Sequence, residues 1–213
     1  MPKAPRKKAE VDGVRDEILK YALEIINDSG YDSLTMRELG SRLGCAAKTI
    51  YNYYGSKEEI YLRILTKAFE KLNDAADRAL GGAGNPLEKL RILCNVYIRF
   101  GLENVHCYNI MFSSDVPKYT NYLGTYFEPA ASEEKETAMH YAVVAESAIH
   151  EILSKNSGNP KEESVYHLVR MWSMLHGYVS LHNSHSFREY YPDTLQFQEK
   201  IIEEILASFC PKM

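Results

Sequence analysis

The chain is short of cysteine, of long apolar runs and of net positive charge, and each shortage narrows what it can be. Its four cysteines, Cys45, Cys94, Cys107 and Cys210, are scattered without a C-x-x-C pair. They read as small buried hydrophobes in a reducing compartment, with Cys45 the one placed for redox sensing. No apolar run approaches the ~18 residues of a membrane span. The first residues, MPKAPRKKAEVDG, are basic but have no apolar core behind them, so they are not a secretory signal. A cytoplasmic protein with no membrane partner is expected. There is no nucleophile elbow, phosphate loop or glycine-rich dinucleotide turn, so neither an enzyme nor a bound cofactor is expected. His182 and His185 are three apart at a helix end without acidic or cysteine neighbours, and nothing pairs His140 with His150, so no metal site is expected. The net charge of −4 gives no bulk argument for nucleic acid. Residues 1–60 hold 10 basic and 10 acidic side chains, but placed unevenly: Lys3, Arg6, Lys7 and Lys8 form a tail, and Arg37, Arg42, Lys48 and Lys57 flank one short stretch.

What remains is an ordinary globular composition, 45% apolar and 25% charged over 213 residues, enough for one large or two modest domains. No strand pattern or internal repeat occurs, and helical periodicity runs throughout. The stretch from Leu34 to Lys57, LTMRELGSRLGCAAKTIYNYYGSK, organises the chain. Thr35 and Glu38 have the spacing of a capping box, and Leu34 and Leu39 that of a hydrophobic staple, so a helix starts at Thr35. Gly44 stops it in the left-handed region. A second short helix is expected from Ala47 to Tyr53, closed by Gly55, and Ser56 with Glu59 opens a third. Two short helices across a glycine turn make a helix-turn-helix, whose second member enters the major groove of DNA. Ala47, Lys48, Thr49, Asn52 and Tyr53 are its expected exposed face, suited to phosphates and base edges. Ile50 and Tyr54 look inward.

These residues carry a resemblance. Gly30-Tyr31, Leu34-Thr35, Gly44, Thr49-Ile50-Tyr51 and Tyr53-Tyr54-Gly55-Ser56-Lys57-Glu58-Glu59-Ile60 resemble the DNA-binding domain of the TetR family of bacterial repressors. The likeness runs from about Val14 to Leu65. It implies an all-α protein: a three-helix DNA-binding domain over residues 1–55 and a helical effector-binding and dimerisation domain over 56–213. It also implies a homodimer on double-stranded operator DNA, released by a small, largely apolar or aromatic effector. The alternative is a structural or division-linked DNA-binding protein with no effector. Thr35, Arg37, Ala47, Lys48, Thr49, Tyr51, Asn52, Tyr53 and Lys57 are the expected DNA contacts. Three positions depart from the family pattern. Ala46 stands where Ser or Thr usually caps the recognition helix, Gly40 replaces a usual alanine and should loosen the first helix, and Tyr54 adds a hydroxyl to a usual phenylalanine.

Outside this stretch, helices are expected over 12–27, from Ser56 to Gly81, from Pro86, over 104–112, over 132–154, over 162–183 and over 194–209. The first carries the stripe Val14, Ile18, Ala22, Ile25. Residues 113–132, with Pro117, Gly124 and Pro129 among aromatics, read as irregular. An effector pocket is expected there, lined by Tyr97, Phe100, Tyr108, Met111, Phe112, Tyr122, Tyr126, Phe127, Tyr141, Trp172 and His176. Residues 172–177 also resemble the tryptophan–histidine–glycine signature of one subclass of the family's C-terminal domains. Val165, Val169, Val179, Phe197, Ile201, Ile205 and Phe209, on the last two helices, are the expected dimer interface.

Overall fold

The computed structural model describes residues 8–154, 160–186, 190–191 and 193–209. Cys210 and the basic tail residues Lys3, Arg6 and Lys7 lie outside them. Among the described residues the secondary structure is helical, with no strand: α1 Lys8–Ser29, α2 Met36–Arg42, α3 Ala47–Ile50, α4 Lys57–Leu80, α5 Pro86–Glu103, α6 Val105–Phe112, α7 Glu128–Leu153, α8 Pro160–Asn183 and α9 Gln198–Ala207. None of these is long and apolar enough to cross a membrane. The chain forms two compact units, residues 1–69 with 106–136, and 70–105 with 137–213. They cut across the boundary placed after residue 55, because α6 and the start of α7 cluster with α1–α3.

Helix starts repeat one local device. Asn85 accepts from the Glu88 amide at 2.9 Å, and Ser56 from the Glu59 amide at 3.2 Å. In both, the same glutamate's carboxylate captures a glycine amide one residue before the cap, Gly84 at 2.9 Å and Gly55 at 2.7 Å. Glu128 takes the Gly124 amide at 2.7 Å in the same way. Each contact satisfies orphan amides and places negative charge at a helix N-terminus. The last one explains a correction: α7 begins at Glu128, not Ser132, because Pro129 falls in the first turn, where no amide donor is required. α1 likewise starts at Lys8 rather than Asp12, with Glu10 in its first turn.

In the first unit, Ile18, Leu19, Ala22, Ile25 and Ile26 of α1 are buried, as are Leu34, Leu39, Ile50 and Tyr54, Ile60 and Tyr61 of α4, and Tyr108, Ile110 and Met111 of α6. Val14, at the head of the expected stripe, is half-buried. In the second unit, α5 packs against α8 and α9. Leu90, Leu93, Tyr97 and Ile98 are covered, as are Met171, Leu175, Val179, Ile202, Ile205 and Leu206. The Arg91 guanidinium clasps α9 through Glu199 at 2.6 Å and Glu203 at 2.7 Å. Asn73 of α4 donates to the Thr137 carbonyl of α7 at 2.8 Å.

Candidate nucleic-acid interface

The α2–α3 pair is built by its turn. Thr35 caps α2, accepting from the Glu38 amide at 3.0 Å, but the reciprocal half of the box is replaced: Glu38 receives Arg42 Nε at 3.4 Å instead. Arg42 also reaches Asp28 at 3.5 Å, so this cation ties α2 to the end of α1. At the other end Gly44 has φ +66°, its amide bonds the Ser41 carbonyl at 3.2 Å, and the Cys45 amide bonds Gly40 at 2.9 Å. These are the two bonds of a Schellman motif.

Gly40 corrects the expectation that it merely loosens α2. A Cβ there would stand 2.8 Å from the Cys45 carbonyl oxygen and 3.1 Å from the Ala47 nitrogen, both backbone atoms. The turn therefore comes closer to α2 than an alanine allows. Ala46 behaves as its side chain dictates: it flanks α3 with no side-chain capping bond, leaving only the Thr49 amide to its carbonyl at 2.8 Å.

The second helix is shorter than expected. α3 is a single turn, Ala47–Ile50, and residues 51–53 continue as turns, with Tyr53 and Tyr54 amides both bonded to the Ile50 carbonyl at 2.9 and 3.1 Å. Ile50 anchors the turn, 1% exposed, while Lys48 and Asn52 are exposed and Tyr51 is 55% exposed. Ala47, Thr49 and Tyr53 are half-buried beside them. Thr35 and Arg37 at the start of α2 are exposed. The Arg15 guanidinium lies 5.9 Å from the centroid of the Tyr54 ring, and burial pushes that phenol up to about 12.

Lys57 is the first residue of α4, where unpaired amides and the helix dipole favour an anion. Its ammonium lies 4.4 Å from the Tyr31 ring centroid. It makes no ion pair with a carboxylate among the described residues. Tyr31 in turn meets Tyr61 edge-on at 4.9 Å, and burial raises the pKa of both phenols. This tyrosine assembly is absent from the sequence reading, since its members are thirty residues apart and only the Gly30-Tyr31 pair was singled out.

The expected effector lining divides between the two units. Tyr108, Met111, Phe112, Tyr122, Tyr126 and Phe127 belong to the first unit, whereas Tyr97, Phe100, Tyr141, Trp172 and His176 belong to the second. Tyr126 is 91% exposed. In the second unit the Trp172 indole donates to the Tyr97 hydroxyl at 2.9 Å, and Tyr141 donates to the Leu93 carbonyl. Between Tyr97, Tyr141, Leu168, Met171, Trp172 and Leu175 the cavity open to a water-sized molecule is only about 10 Å³. That is at most one water. Phe100 is buried apart from this void, and burial lowers the His176 pKa. On the last helices Val165 and Val169 are exposed and Phe197 and Ile201 half-buried. Val179, Ile205 and Phe209 are covered by the chain itself, which corrects their placement in a dimer interface: they fill the protomer's own core.

The family model "Bacterial regulatory proteins, tetR family" matches residues 18–64, and "Tetracyclin repressor-like, C-terminal domain" matches residues 90–205. The HTH-type transcriptional repressor KstR of Mycolicibacterium smegmatis is 32% identical over 79 residues, 37% of this chain and 39% of that protein. The HTH-type transcriptional activator FasR of the same organism is 24% identical over 147 residues, 69% of this chain and 62% of that protein. The matched segments thus span less than two thirds of these relatives. The structure of AibR in complex with isovaleryl coenzyme A and operator DNA superposes with a TM-score of 0.63 at 16% identity, covering 93% of this chain and 99% of that one. With its helix-turn-helix and its C-terminal helices each matched by a model of the same family, the chain belongs to the tetR family of bacterial regulatory proteins.

Proposed function

We propose that this chain is a DNA-binding transcriptional regulator, a homodimeric repressor that a small apolar or aromatic effector releases from its operator. The observation that carries it is the presentation of Lys48, Tyr51 and Asn52 on one exposed turn, held by buried Ile50 and the Gly40–Gly44 turn, with the Lys57 ammonium, set on the Tyr31 ring, nearby in sequence at a helix N-terminus. Lys57, Thr35, Arg37 and Tyr53 act on phosphates and set affinity; Lys48, Thr49, Tyr51 and Asn52 read base edges. Val165, Tyr166 and Val169, exposed along α8, are the apolar face offered to a second copy, which places two recognition helices about one DNA turn apart. The effector enters the second unit by parting Trp172 from Tyr97 and enlarging the void beside Tyr141. AibR, solved with both an acyl-coenzyme A and operator DNA, is a relative in fold that carries both kinds of ligand.

The closed void favours one second reading, a DNA-binding protein of this fold with no effector. Footprinting of upstream DNA tests the DNA claim, and a screen that follows emission from the single tryptophan separates the two readings. Emission that no compound shifts, in protein with a protected operator, supports the second.

A further inference from the structure

The segment between α6 and α7 belongs to the unit that carries the helix-turn-helix. One contact path leads from it to the cation at the head of α4. Tyr61, fully buried, donates its hydroxyl to the Pro117 carbonyl at 3.0 Å. Its ring meets the Tyr31 ring edge-on at 4.9 Å, and the Tyr31 ring carries the Lys57 ammonium at 4.4 Å. Tyr122, from the 3-10 turn Tyr119–Tyr122, closes the assembly: it is 5% exposed, and its hydroxyl faces Tyr31 without a partner at hydrogen-bonding geometry.

A buried phenol has few acceptors open to it, so the Tyr61 ring stands where the Pro117 carbonyl lets it. An edge-to-face pair transmits that position, since ring packing at this density has no slack. A lysine over an aromatic face loses part of its rotamer freedom before it meets a phosphate, so less is lost on binding. Without Tyr31 beneath it, the same ammonium would sweep a wide arc at the helix end.

We propose that Tyr31 and Tyr61 are positioning residues for DNA binding, making the reach of Lys57 towards a phosphate depend on where residues 117–122 sit. This rests on the reading of the α2–α3 pair as a DNA interface and adds a regulatory input to it: whatever displaces the 117–122 segment weakens the Lys57 contact, with no movement of the recognition turn.

A double-mutant cycle tests it on the full chain, with a labelled operator duplex or, when footprinting finds none, a random-sequence duplex at low salt. Lys57→Ala alone lowers the slope of log K against log salt by about 0.9 per bound copy, one phosphate each. Tyr61→Phe keeps the ring and the lysine, yet weakens binding about threefold. In the Tyr61→Phe background, Lys57→Ala then costs markedly less than it does alone. A purely structural Tyr61 gives a lower unfolding midpoint with an unchanged Lys57→Ala cost, and such additivity overturns the proposal. Amide exchange on the wild-type chain needs no variant to fold: duplex binding slows exchange across residues 118–123, and exchange that DNA leaves unchanged there overturns the coupling. Absence of binding to every duplex overturns the DNA reading itself and the coupling with it, which distinguishes the two failures.

Discussion

Single side chains decide how tightly the turn between α2 and α3 closes. At Gly40 the neighbours of a would-be Cβ are backbone atoms at 2.8 and 3.1 Å, which cannot swing aside as a side chain would. Gly40→Ala should therefore destabilise the chain by about 1–3 kcal/mol, the usual cost of overpacking. Thermal unfolding followed by circular dichroism checks this; an unchanged or higher midpoint would show that the turn relaxes freely. Histidines set a pH response at the same scale. His167 and His176 both have pKa values lowered from 6.5, chiefly by burial, so the unfolded chain takes up protons before the folded one does. Stability is then full above the unfolded value and falls as pH drops through about 6.5 towards the lower folded values. Unfolding midpoints measured between neutral and mildly acidic pH should decline, and His176→Gln should flatten part of that decline.

Elements were legible in sequence where a local chemical signal marked their ends, and illegible where the signal was long-range. Thr35, Gly44, Gly55 and Pro86 announced caps and stops, and the structure places helix ends within a few residues of each. Gly30, at φ +81°, ends α1 as its permissive backbone suggests. Pro129, which falls in the stretch that reads as irregular, occupies the first turn of α7. The length of α3 was overread because Tyr51–Tyr53 keep helical spacing while forming only turns. Nothing local in the sequence could bring Tyr31, Tyr61, Pro117 and Tyr122 together, because that assembly depends on the segment after α6 meeting α4 and the residues after α1. The aromatic density of residues 113–132 was visible, but whether it lined a pocket or filled a core was not. The candidate DNA-contact residues were readable from motif spacing; the partition of the aromatic set between two units was not. At this scale α5 and α8 meet at the Trp172–Tyr97 hydrogen bond. Tyr97→Phe removes its acceptor and should shift emission from the only tryptophan, with a stability loss of about 1 kcal/mol. Unaltered emission would mean that the indole environment does not depend on this bond.

For the whole molecule, the proposed mode of binding uses two copies. A single α2–α3 pair presents a one-turn α3 and buries little surface, whereas two copies sum their phosphate contacts and double the salt slope. Val165, Tyr166 and Val169 are exposed large side chains on one helix, an arrangement that a monomer would leave in water. Val169→Glu should shift the sedimentation mass from dimer to monomer and reduce operator affinity at least tenfold, as expected when two linked half-sites become independent. A variant that stays dimeric would move the interface elsewhere on the second unit.

The central claim is that this chain recognises a specific duplex through the turn at Lys48–Asn52 and the cation at Lys57. Footprinting of the purified chain on the DNA upstream of its own coding region, repeated over a salt series, tests it most directly. The expected result is a protected pseudo-palindrome with half-sites about one helical turn apart, and a salt slope about 0.9 shallower per half-site in Lys57→Ala. Equal binding to every sequence, with a slope that Lys57→Ala leaves unchanged, would contradict it.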